Sequence, residues 1–146
     1  MKRHKVGYTT GVYDMFHVGH LNLLKRAKEQ CDFLIVGVTS DELVSYKNKK
    51  AIIPHQERME IVESISYVDM VVPQIHMDKM EAWEKYSFDV MFVGDDWKGT
   101  EKWNKFEDDF RKVGVEIVYF PYTKGTSSSM LREVLSKISA GAVVSG

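Results

Sequence analysis

The chain has 146 residues, 44% of them hydrophobic and 12% aromatic, which is the size and composition of one globular domain with a sizeable core and excludes bulk disorder. Charged residues make up 28% and the formal net charge is -1, so no global basic field points to nucleic acid and no acidic excess to a solvating tail. No apolar run approaches the ~18 residues of a membrane span, and no signal-peptide core follows the basic start Met1-Lys2-Arg3-His4-Lys5. The single cysteine, Cys31, cannot form an internal disulfide and lacks the neighbours of a zinc or redox motif, which fits a reducing cytoplasm.

Taken in chain order, short β-branched apolar runs predict strands over residues 6–12, 33–39, 68–72, 89–93 and 115–120. Their near-continuous hydrophobicity suits strands buried on both faces, as in a parallel sheet. Helical spacing covers residues 19–30, where Leu21, Leu24 and Ala27 recur, and residues 57–65, where Ile61, Val62 and Ile65 share a face with Arg58 to one side. Further helices are predicted over 77–86, 102–112 and 128–138. The alternation implies right-handed crossovers and a single-domain, doubly wound, Rossmann-like α/β fold, a five-stranded parallel sheet with helices on both faces. The domain is expected over residues 1–138, followed by a Gly/Ala/Val/Ser tail over 139–146. Ligands of such sheets bind beyond the carboxyl ends of the strands, so chemistry is expected in the loops 11–19, 40–54, 94–99 and 121–129.

The first of these loops reads Gly11-Val12-Tyr13-Asp14-Met15-Phe16-His17-Val18-Gly19-His20. Two imidazoles three residues apart, with Gly19 between them, meet the start of a helix whose unsatisfied N–H groups and dipole already favour a phosphate. Chance surface or capping histidines would have the same spacing. A zinc site fits less well, since His-x-x-His lacks the one-turn spacing of zinc helices and a nearby third ligand.

This segment resembles the G-T-F-D-x-x-H-x-G-H signature of the nucleotidyltransferase superfamily, whose members transfer a nucleotide from CTP or ATP to a phosphorylated acceptor. Five later segments sharpen the resemblance: Lys47-Asn48-Lys49-Lys50-Ala51, Gln56-Glu57-Arg58, Tyr67-Val68-Asp69, Gly94-Asp95-Asp96-Trp97-Lys98-Gly99 and Thr123-Lys124-Gly125-Thr126-Ser127-Ser128-Ser129. Together, over about residues 6–135, they resemble the glycerol-3-phosphate cytidylyltransferase branch.

The resemblance implies that an acceptor phosphate oxygen attacks the α-phosphorus of CTP and that pyrophosphate leaves. It assigns His17, His20, Lys49 and Arg58 to catalysis on the phosphates, and Lys47 and Asp14 to the acceptor. Thr10, Gly11, Val12, Tyr13, Gly19, Asp96, Trp97, Thr123, Gly125, Ser127 and Ser128 are matched to the nucleotide. Asp14 is also assigned to a magnesium ion bridging phosphate oxygens. A homodimer is implied, with the region of Tyr67-Val68-Asp69 near the subunit contact. On the residues alone, other readings stand beside these. Three loop lysines are commonly just solvated, and Asp95 with Asp96 suits a metal, ribose and cytosine contacts, or a helix cap beside a packing tryptophan. The three serines suit an N-cap as well as a phosphate.

Four positions depart from the branch: Val12 replaces a threonine, Ser66 and Tyr122 replace arginines, and Met77 replaces a tryptophan. Losing two guanidinium groups removes hydrogen bonds worth roughly 1.5–3 kcal/mol each unless other residues compensate, or marks a different acceptor such as a larger polyol or sugar phosphate. Two further readings remain. One is an adenylyltransferase, because Ser127-Ser128-Ser129-Met130-Leu131-Arg132 also resembles an element of ATP-using relatives, and the other is a nucleotide-binding module without turnover.

Overall fold

A computed structural model describes residues 4–46, 51–76, 78–94, 99–121 and 128–140. In order, its elements are β1 (His4–Gly11), α1 (Val18–Glu29), β2 (Cys31–Thr39), α2 (Asp41–Tyr46), α3 (His55–Glu63), β3 (Met70–Gln74), α4 (Lys79–Tyr86), β4 (Val90–Gly94), α5 (Glu101–Lys112), β5 (Glu116–Phe120) and α6 (Ser128–Ala140). The strands form one parallel sheet in the order β3-β2-β1-β4-β5, the doubly wound architecture expected. The chain leaves β1 toward β2 on one side and returns as β4 on the other. The switch point therefore lies beyond the carboxyl ends of β1 and β4.

Alternation along the strands builds two cores. Leu34, Val36 and Val38 of β2 join Leu24 and Ala27 of α1 and Val62 of α3 on one face. Ile35 turns to the other face with Tyr8, Val72, Met91, Phe110 and Trp103, covered by Met80, Ala82 and Trp83 of α4 and Phe106 of α5. The central strand packs so tightly that a Cβ at Gly7 would stand 2.6 Å from the Phe92 ring and 2.8 Å from Cys31 Sγ. Asp69 fastens the entry of β3 by accepting the Leu34 N–H at 2.8 Å and pairing with Lys28 of α1.

Three boundaries differ from expectation for identifiable reasons. The third strand runs to Gln74 rather than residue 72, through Pro73, which sits opposite Val38. An edge strand tolerates proline because one side of its backbone has no ladder to fill. Part of the loop expected over 40–54 is the helix α2, started by Ser40, whose Oγ accepts the Leu43 N–H at 3.2 Å. α6 continues through Ala140, so the first residues of the expected tail are helical, while residues 141–146 lie outside the described residues. No helix among the described residues is long and apolar enough to cross a membrane.

Candidate active site

β1 ends at Gly11, and six residues later the chain enters α1 with His17 as its N-cap in extended conformation. His17 Nδ1 accepts the Gly19 N–H at 3.0 Å, and His20 Nδ1 accepts the His17 N–H at 3.3 Å. This is a reciprocal cap made of imidazoles in place of the usual hydroxyl and carboxylate. Because each Nδ1 accepts a backbone N–H, the ring proton belongs on Nε2, where it can be donated to a phosphate oxygen. The two rings stack at 4.0 Å with 25° between planes. Burial also lowers the His17 pKa below its ordinary 6.5, so the neutral donor is its form at neutral pH.

The loop under these rings is strained and firmly held. Tyr13 and Met15 are non-glycine residues at φ 53° and 49°, in the left-handed region. The buried Tyr13 ring packs edge-on to His20 at 5.2 Å, and Phe16 packs against the same imidazole at 5.2 Å. A Cβ at Gly11 would come within 3.0 Å of the Tyr13 ring, so a bare backbone at that position lets the ring close over the strand end.

Asp14 and Arg58 lock this loop from behind. Asp14 is fully buried, and its two carboxylate oxygens accept the N–H groups of Ile52 and Ile53, each at 2.8 Å. Arg58, also fully buried, donates through Nη1 to the carbonyls of Val12 and Thr39 at 2.7 Å, through Nε to Ile53 at 2.8 Å, and through Nη2 to Asp41. Asp41 caps α3 as well by accepting the His55 N–H at 3.0 Å, and His55 Nε2 lies 3.0 Å from the Val38 carbonyl.

This geometry gives two of the expected site residues a structural role. Arg58 does not sit to one side of its helix: it shares the buried face with Val62, Ile61 is 38% exposed, and the guanidinium serves carbonyls rather than reaching for phosphate. Asp14, assigned to magnesium and the acceptor, is fully buried, and its oxygens hold the backbone of residues 52 and 53. Among the described residues no group of three His, Cys, Asp or Glu side chains converges to hold a metal.

A cleft of about 600 Å³ opens beyond the strand ends, lined by Thr10, Gly11 and Val12 with Gly94 at its edge. A Cβ at Gly94 would meet nothing within 4 Å among the described residues, consistent with a glycine that leaves room for a ligand. The cleft also gathers residues that sequence reasoning missed: Thr39, Gln74, Lys79, Lys102 and Trp103. Gln74 and Thr39 were signalled only as polar residues closing apolar strands, and Lys79 only by following the cap Asp78. Lys47, Lys49, Asp96, Trp97, Thr123, Gly125 and Ser127 lie outside the described residues, as do Met77 and Tyr122. Ser128 opens α6, and Ser66 is exposed in the turn after α3.

A family model described as Cytidylyltransferase-like matches residues 8–134, which spans the sheet, the histidine cap and the cleft. The chain belongs to that family. It is thus a nucleotidyltransferase. It is 39% identical over 129 residues, 88% of this chain and 95% of the relative, to the glycerol-3-phosphate cytidylyltransferase of Bacillus subtilis (strain 168). It is 33% identical over 142 residues, 94% of both chains, to the FAD synthase of Thermococcus kodakarensis (strain ATCC BAA-918 / JCM 12380 / KOD1). Among solved structures, the lipopolysaccharide core biosynthesis protein from Thermoplasma volcanium GSS1 superposes with a TM-score of 0.70 at 24% identity, covering 84% of this chain and 99% of that one, a likeness of fold alone.

Proposed function

We propose that the protein transfers CMP from CTP to glycerol 3-phosphate, giving CDP-glycerol and pyrophosphate. The observation that carries this reading is the pair of imidazoles at the start of α1, in the loop that leaves the central strand at the switch point, in a chain so similar to glycerol-3-phosphate cytidylyltransferases. An acceptor phosphate with a second pKa of about 6 is largely dianionic at neutral pH, so its oxygen attacks the α-phosphorus without a general base. The new P–O bond forms as the bond to the β-phosphate bridging oxygen breaks, and that electron pair departs with pyrophosphate. The Nε2–H groups of His17 and His20 stabilise charge building on the α-phosphate oxygens. Lys47 and Lys49 hold the phosphates of acceptor and leaving group, and Asp96, Trp97, Thr123, Gly125, Ser127 and Ser128 hold the nucleotide; these assignments rest on resemblance. By resemblance the reaction uses a magnesium ion, which would neutralise charge on the triphosphate.

The test is pyrophosphate release from CTP with glycerol 3-phosphate. His17→Ala and His20→Ala are each expected to lower kcat by roughly 10²- to 10³-fold. Activity within about threefold of the unaltered protein in both variants would remove the imidazoles from the mechanism.

A homodimer and a cytoplasmic location complete the proposal. Phe33 and Met70, both 41% exposed at the amino ends of neighbouring strands, support a contact near residues 67–69, and sedimentation equilibrium should return twice the 16.9 kDa chain mass rather than the chain mass itself. The FAD synthase relative supports a second reading, adenylyl transfer from ATP, because FAD carries an adenine nucleotide half.

A further inference from the structure

The start of α5 carries a cation that the mechanism above does not use. Lys102, Trp103 and Phe106 share one face of that helix, at positions i, i+1 and i+4, and all three line the cleft. Trp103 is buried and anchors the face, whereas Lys102 is exposed. Local preference argues against a lysine there. The first turn of a helix is its positive end, where acids are favoured and cations are not. The residues three and four positions on, with which a helical side chain can pair, are Lys105 and Phe106, so the helix offers Lys102 a like charge and no acid. No ion pair among the described residues engages it either. A cation kept against the preference of its own helix, on the wall of a cleft, is a feature that folding does not explain.

The crossover from β4 through α5 to β5 fixes where that cation stands. α5 packs on the sheet through Trp103, Phe106 and Phe110, in one cluster with Val115 and Ile117, and runs back along it, so its first turn stands at the carboxyl ends of β4 and β5. Those two ends are neighbours, since Gly94 pairs with Phe120, and Gly94 lines the cleft. Position 122, two residues beyond the end of β5, is where this chain has tyrosine and the cytidylyltransferase branch has arginine. The strand end that leads to the missing guanidinium is therefore the one beside which α5 holds an ammonium. Arg111, on the same helix, does not serve there: it pairs with Asp108 at 3.3 Å and lines a separate groove with Glu107 and Glu116.

We propose that Lys102 binds the triphosphate of CTP, supplying from α5 the cation that Tyr122 does not. The ammonium donates to phosphate oxygens, and its long stem carries it from the helix across the mouth of the cleft. The nucleotide rather than the acceptor is its partner, because the loops beyond β4 and β5 are the ones matched by resemblance to the nucleotide. The inference rests on the cytidylyl-transfer reading, which is tested first on the unaltered protein.

The experiment measures pyrophosphate release while CTP and glycerol 3-phosphate are varied in turn. It compares the unaltered protein with Lys102→Met, Lys102→Arg, Lys105→Met and the double variant Lys102→Met with Tyr122→Arg. Failure of the unaltered protein to release pyrophosphate overturns the parent reading and this inference with it; failure of this inference alone shows only in the variants. Where the unaltered protein turns over, Lys102→Met should raise KM for CTP by roughly tenfold, the loss of one charge-assisted hydrogen bond, with KM for glycerol 3-phosphate within about twofold. Its urea midpoint should be no lower than that of the unaltered protein, since a cation has left the positive end of a helix. Lys102→Arg should keep KM for CTP within about threefold, as should Lys105→Met, which alters an exposed lysine of α5 outside the cleft lining. Tyr122→Arg added to Lys102→Met should recover most of the lost affinity for CTP, which a merely structural lysine would not allow. An unchanged KM for CTP in Lys102→Met, a rise that falls on glycerol 3-phosphate instead, an equal rise in Lys105→Met, a lower urea midpoint in Lys102→Met, or no recovery in the double variant overturns the role of Lys102.

Discussion

At the scale of single residues, the site divides into groups that meet the substrate and groups that hold those groups still. The spacing His17-x-x-His20 before a helix was legible as an anion site. Its tautomer was not, because that depends on which backbone N–H each Nδ1 accepts. Asp14 shows the limit more clearly. A carboxylate in a phosphate-binding loop suggests a metal, but folding brings two N–H groups from residues 38 and 39 positions later onto its oxygens. Asp14→Ala would leave those two part-buried N–H groups without their acceptor, at up to about 1–3 kcal/mol each. The expected outcome is a lower urea midpoint with an unchanged dependence of residual activity on magnesium concentration. A variant that is as stable as the unaltered protein but needs far more magnesium would restore Asp14 as a metal ligand.

At the scale of elements, the lysine-bearing segment 47–50 is flanked by pieces that the clamp ties to the histidine loop. Arg58 on α3 bonds the end of β2 and the loop after β1, Asp41 on α2 bonds Arg58 and the start of α3, and Asp14 bonds residues 52 and 53. The motif around Arg58 was visible in the sequence, but its role required the sheet, since its acceptors are carbonyls on three other segments. The His55 N–H, followed by the Arg58 guanidinium, holds the Asp41 carboxyl below its ordinary value of 3.8. A carboxyl with a depressed folded pKa stabilises the native state above its unfolded value and loses that contribution as pH falls through the folded one. Urea midpoints of the unaltered protein should therefore decline as pH drops below about 3.8, in the interval down to the depressed value. Asp41→Asn should flatten that part of the profile, and an identical profile in the variant would mean that Asp41 contributes nothing there. The strands and most helices were legible from apolar periodicity, whereas the strand order was not, and the run over 68–72 stops short of Pro73 because its edge position is a property of the whole sheet.

At the scale of the molecule, one sheet separates two tasks. The α1 face carries the imidazoles and their clamp, and the α4 and α5 face carries Lys79 and Trp103, which line the cleft beyond the ends of β1 and β4. Doubly wound connectivity makes this arrangement possible, because crossovers on opposite faces deliver helix starts to the same rim. The family was legible in the sequence from its motif order. The polar wall of Gln74 and Lys79 was not, since those residues carry no motif and meet Thr39 and Thr10 only across the sheet. The most direct measurement of the central claim supplies the protein with glycerol 3-phosphate and either CTP or ATP labelled at the α-phosphorus, and follows where the label goes. Label from CTP should appear in CDP-glycerol with one pyrophosphate released per product, and label from ATP should stay in the nucleotide. Transfer from ATP but not from CTP, or hydrolysis of CTP to CMP without CDP-glycerol, would contradict it.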